Sequence, residues 1–221
     1  MADNKELKEL AQQLRHPSGE AGLKIAAMMH ETNNNMTFHS VNHLGISDKD
    51  KVLELGHGNC EHLRQLAAVK GTIVYYGLER STLMYNEAKR INKDLIAQQQ
   101  AFFYLYDGQE FPFPTAYFNK IFTVNTIYFW DNPQQVLAEL YRVLKPNGRL
   151  NITFAQKEFM EQLPFTPYGF TLYDNEKISR LISASQFKII AFENQTEKIK
   201  NKTGELVNRI FTTVIIEKRI C

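Results

Sequence analysis

The stretch Lys51-Val-Leu-Glu-Leu-Gly-His-Gly-Asn-Cys-Glu61 decides the fold, because an apolar run stops there at two glycines separated by one residue. Val52, Leu53 and Leu55 suit a buried parallel strand, and Gly56 and Gly58 let the backbone turn with no Cβ in the way of a ligand. From Glu61 onward Leu63, Leu66, Ala67 and Val69 recur at helical spacing, which puts the first N–H groups of a helix beside the turn. Such a junction accepts a polar ligand edge-on.

The pattern repeats downstream. Thr72 to Leu78 is a second β-rich run, and it ends in Glu79-Arg80-Ser81, where an acid can accept both hydroxyls of a ribose. Ala101 to Tyr106 is a third strand ending at Asp107-Gly108, ahead of Glu110-Phe-Pro-Phe113. Tyr117 to Asn125 is a fourth, followed by Thr126-Ile-Tyr-Phe-Trp130. Pro133 opens a helix that Lys145-Pro-Asn-Gly148 closes before a fifth strand. A helix from Asp174 to Ser185 and alternating strands over Phe187 to Asn194 and Arg209 to Lys218 complete the chain, with polar Gln195 to Asn208, including Glu197, Lys198 and Lys202, expected as a solvated loop. Strands alternating with helices predict a doubly wound α/β fold.

Three helices are expected before the first strand: Lys5 to Leu14, Glu20 to His30 and Met36 to Leu44, separated by Pro17-Ser18-Gly19 and by Thr32-Asn-Asn-Asn35. Residues 1–46 are therefore read as a helical cap, and 47–221 as one α/β unit.

Glu54-Leu-Gly-His-Gly58 resembles the first motif of class I S-adenosylmethionine-dependent methyltransferases, Glu/Asp-x-Gly-x-Gly. Asp107-Gly108 before Phe-Pro-Phe, and Leu140-Tyr-Arg-Val-Leu-Lys-Pro-Asn-Gly-Arg-Leu150, resemble two later signatures of the same family. The resemblance spans about Asp50 to Phe154. It implies a mostly parallel seven-stranded sheet with a reversed seventh strand, a helical lid and S-adenosyl-L-methionine as cofactor. It also implies Glu54, Gly56, His57 and Gly58 at the turn, Glu79 and Arg80 at the ribose, and Met84, Asp107 and Gly108 at the adenine. Asn125 and Thr126 then fall beside the methionine part, and Tyr128, Trp130 and Tyr168 toward the substrate. Tyr128, Phe129 and Trp130 offer π faces to a sulfonium, and His30 and His39 are candidate proton acceptors or packing residues. No catalytic residue is named, because the methyl group arrives activated and alignment does most of the work.

Composition narrows the acceptor. The 221 residues carry a net charge of +2 with no basic stripe, which disfavours nucleic acid as partner. The two cysteines, Cys60 and Cys221, have no metal-ligand spacing, so no metal is expected. No apolar run reaches membrane-spanning length and the N-terminus lacks a signal core, which predicts a cytoplasmic protein acting on a small molecule. Aromatics after the fifth strand, such as Phe159, Phe165 and Phe170, suit a substrate wall or a homodimer patch. Two rivals stand. A nicotinamide-dependent oxidoreductase is disfavoured by Glu61 where its third glycine belongs. A catalytically silent cofactor-binding module follows if Cys60, where the family often has a glycine, crowds the cofactor.

Overall fold

The computed structural model describes residues 3–70, 73–200 and 206–218; Thr72, Lys202, Cys221 and the side chain of Val69 lie outside what is described. Helices α1 (Asn4–Arg15) and α2 (Gly19–His43) lead into β1 (Lys51–Leu55). Then come α3 (Leu63–Lys70), β2 (Val74–Glu79), α4 (Thr82–Ile91), α5 (Lys93–Ala97), β3 (Ala101–Leu105) and β4 (Phe118–Val124). The chain continues through α6 (Pro133–Val143), β5 (Leu144–Ala155), α7 (Lys157–Met160), α8 (Asn175–Ser183), β6 (Phe187–Lys200) and β7 (Leu206–Lys218).

The seven strands form one sheet in the order β3-β2-β1-β4-β5-β7-β6. β1 to β5 pair in parallel, while β7 runs antiparallel to both of its neighbours, as the resemblance implied. The chain leaves β1 toward β2 on one side and returns as β4 on the other, so a crevice opens at the carboxyl ends of β1 and β4. Helices cover both faces at the centre. Leu53 and Leu55 join one apolar cluster and Val52 joins another with Leu63, Leu66 and Phe122, which is why β1 reads as a continuous apolar run. Glu54 is the one charged residue in that strand buried with them.

Local signals set the helix starts. Asp3 and Glu6 close a capping box on α1, Asn132 caps α6 with Pro133 in its first turn, and Asp174 caps α8.

Two expectations need correction. The asparagine run does not end a helix: α2 is a single helix of 25 residues. Mid-helix asparagine costs at most about 0.7 kcal/mol against alanine, and here tertiary partners offset it. Asn33 accepts from the amide of Asn125 at 3.0 Å, and Asn35 donates to Glu197 at 2.6 Å. Nor is Gln195 to Asn208 a solvated loop throughout, because β6 and β7 stay paired from Phe187↔Lys218 to Lys200↔Leu206. Within that ladder Glu197 and Arg209 form a buried ion pair, with side chains only 11% and 6% exposed. Period-two reading missed it because both residues are charged. The pair faces α2, where Arg209 donates to the Thr32 carbonyl.

Candidate active site

The turn after β1 has its shape because two chain segments meet there. Gly56 sits at φ +74°, donates its N–H to the Leu78 carbonyl at 2.8 Å, and would place a Cβ 2.4 Å from Cγ2 of Thr126. Only glycine allows β1 and the end of β4 to approach so closely. Gly58, at φ +58°, has nothing within 4 Å of a would-be Cβ, so open space lies beside its backbone.

Glu79 ties this turn to β2. One carboxylate oxygen accepts from Gly58 N–H at 3.1 Å, and the other from Arg80 and Ser81 N–H at 2.8 and 2.9 Å. Ser81 caps α4 through Met84 N–H and donates its hydroxyl to the Pro17 carbonyl at 2.6 Å, which docks the junction of α1 and α2.

Asn125, at φ +57°, closes the opposite wall. Its carbonyl oxygen accepts from the Tyr128 hydroxyl at 3.0 Å and its amide donates to Asn33 at 3.0 Å, so α2 is held against the end of β4. Thr126 accepts from the Trp130 indole at 3.2 Å.

Between these walls lies a cleft of about 1140 Å³ of atom-free space, its open mouth included. Glu54, Gly56, His57, Gly58, Glu79, Arg80, Met84, Gly108, Asn125, Thr126 and Trp130 all line it. Three expected residues do not. Asp107 is exposed and its carboxylate accepts from Gln109 N–H at 2.8 Å, an Asx turn. Tyr128 is buried beneath Asn125, where burial raises its phenol pKa. Tyr168 donates to Asn4 at 3.2 Å and braces α1.

The histidines separate clearly. His30 lines the cleft with Nε2 4.0 Å from Glu61, and burial holds its pKa below the usual value, more than Glu61 raises it. His39 does not line the cleft; its Nδ1 meets the Thr213 hydroxyl at 3.0 Å. His57 hydrogen-bonds the Gly58 carbonyl through Nδ1 and packs on Gly77 and Phe103, and burial lowers its pKa against the opposing pull of Glu79 and Glu54.

Cys60 is not where crowding would require it. It takes φ +53°, a conformation the family's glycine adopts without strain, and its side chain is fully buried with Sγ on the Tyr75 hydroxyl at 3.1 Å. It does not line the cleft. Burial, reinforced by Glu54, pushes its thiol pKa well up. Cys60→Gly is therefore expected to leave the affinity for S-adenosylhomocysteine unchanged; tighter binding in a calorimetric titration would contradict this placement. The silent-module reading loses the support it drew from Cys60.

The sequence also missed residues of the roof and mouth. Arg15, at the end of α1, pairs with Asp131, and Arg80 lies 3.6 Å from the same carboxylate. Arg15 holds the Asp131 carboxyl below its usual range. All three line the cleft, so the cap is latched to both β2 and β4. Helical periodicity pointed to the apolar face of α1 and carried no sign of this contact.

A methyltransferase-domain family model matches residues 53–152, the strands and turns that build the floor of the cleft. The chain is 26% identical over 183 residues to the uncharacterized methyltransferase YdaC of Bacillus subtilis (strain 168), covering 82% of this chain and 91% of that protein. It is 28% identical over 158 residues to the demethylmenaquinone methyltransferase of Tropheryma whipplei (strain Twist), covering 72% of this chain and 62% of that one. Among solved structures it superposes on geranyl diphosphate C-methyltransferase from Streptomyces coelicolor, with TM-score 0.69 and 11% identity, over 91% of this chain and 84% of the other. Turn, sheet order and family match coincide on the same strands: residues 53–152 carry the methyltransferase domain of an enzyme that uses S-adenosyl-L-methionine as its cofactor.

Proposed function

We propose that the protein methylates a small-molecule acceptor. The observation that carries this reading is the roof: α1 and α2 lie over the cleft, latched through Arg15 to Asp131 and through Ser81 to Pro17, so the acceptor enters a covered space. Relatives named for demethylmenaquinone and geranyl diphosphate support a small molecule, as against a macromolecule, as the acceptor. The bound cofactor supplies a methyl group already activated on a sulfonium. The residues of the chain then have to hold the two reactants in line and keep water out, which lowers the barrier by up to about 7 to 11 kcal/mol. Phe129 and Trp130 provide the apolar side of that space, and Asn33, Asn34 and His30 the polar side.

Titration calorimetry should show micromolar binding of S-adenosylmethionine and S-adenosylhomocysteine and none of NAD. Incubation with methyl-tritiated cofactor and a cell extract should then place label in the low-molecular-weight or lipid fraction. Label confined to protein or RNA would overturn the small-molecule reading while leaving the cofactor intact.

A further inference from the structure

Three carboxylates line the cleft among the described residues: Glu54, Glu79 and Asp131. Glu79 already accepts from three backbone N–H groups, and Asp131 is two-thirds exposed between two arginines. Glu54 differs from both. It is 3% exposed, and a single oxygen, Oε2, takes both the His62 Nε2 at 2.7 Å and the Tyr75 hydroxyl at 2.5 Å. Oε1 takes no hydrogen bond from the described residues.

The donor atoms of Glu54, Cys60 and His62 all lie within 4.8 Å of one another, which raises the question of a metal ion. The contacts answer it differently. His62 and Tyr75 bond directly to Glu54 and Cys60 bonds to Tyr75, so the donor atoms of the group are already engaged with one another.

We infer that His62 and Tyr75 are positioning residues that aim Oε1 of Glu54 at the α-ammonium group of the cofactor's methionine half. With both donors on Oε2, the carboxylate cannot rotate without breaking two buried bonds, and its other oxygen is left for a cation at the floor of the cleft. The cofactor brings one ammonium group, and Glu54 is the buried carboxylate in the cleft wall not already spent on the backbone. The sequence gives no hint of this, since His62 and Tyr75 lie on different elements.

The inference rests on the cofactor assignment, and the test separates the two. S-adenosylhomocysteine carries the ammonium; 5′-methylthioadenosine has the same nucleoside and sulfur without it. His62→Leu should weaken S-adenosylhomocysteine about 10- to 100-fold and leave 5′-methylthioadenosine unchanged. His62→Gln, whose amide can still donate to Glu54, should restore most of the loss. Tyr75→Phe should show a smaller loss with the same selectivity, and it decides the matter if His62→Leu does not fold. Equal weakening of both ligands, or of neither, in Tyr75→Phe and in whichever His62 variants fold would overturn the inference. So would a stoichiometric metal ion in the purified protein whose removal by EDTA abolishes S-adenosylhomocysteine binding. If wild type binds neither nucleoside, the cofactor assignment falls and the inference falls with it.

Discussion

Arg209→Ala should lower the unfolding free energy by about 3 to 5 kcal/mol, the cost of breaking a buried ion pair by removing one member. The guanidinium bonds Glu197 through Nε at 2.9 Å and through a terminal nitrogen at 2.6 Å, and also reaches the Thr32 carbonyl and Asn33. Without it the Glu197 carboxylate stays buried with Asn35 as its remaining polar partner. Replacing both members with apolar residues, as Arg209→Met with Glu197→Leu, should cost far less than the sum of the single changes, because no unpaired charge is left. Urea denaturation of the two single variants and the double variant completes the cycle. A loss below about 1 kcal/mol for Arg209→Ala would show an ordinary surface pair. The double variant should still bind cofactor more weakly than wild type, because Asn33 loses a partner on the wall shared with Asn125.

Glu79→Gln should weaken S-adenosylhomocysteine by about 10- to 100-fold despite being isosteric. Both oxygens of Glu79 face backbone donors, Gly58 on one side and Arg80 with Ser81 on the other. A glutamine has one carbonyl, so whichever way it turns its NH₂ group meets an N–H, and one bond becomes a repulsion. The turn that presents Gly58 then loosens from β2. The loss should appear with 5′-methylthioadenosine as well as with S-adenosylhomocysteine, because the Gly58 turn that Glu79 holds lines the cleft whichever of the two is bound. Affinities equal to wild type for both would remove Glu79 from the binding machinery.

The floor of the cleft was legible because it is built from short-range signals. A buried strand followed by two glycines, an acid at the next strand end and a proline at a helix start each act within a few residues, and all lie where they were read. The signature around Arg142 has a physical basis too: its guanidinium bonds the Phe111 and Phe113 carbonyls at 3.0 and 2.7 Å, so α6 holds the turn that follows β3. The roof was not legible. Thr32 to Asn35 reads locally as a helix stop, and only the distant partners Asn125, Glu197 and Arg209 make it the polar face of a continuous helix. The question of Cys60 stayed open in the sequence for the same reason: the direction of its side chain depends on Tyr75, fifteen residues on.

Because α2 is held by β7, the order of synthesis matters. A ribosome releases Asn33 long before Arg209, and at about 5 to 20 residues per second the interval is roughly 10 to 35 s. During that interval β1 to β5 can assemble the floor, while the polar stripe of the roof helix waits for its hydrogen-bond partners Glu197 and Arg209. A nascent chain should therefore gain sheet structure before it gains the ability to retain cofactor, and truncation ahead of β7 should yield a collapsed but open protein.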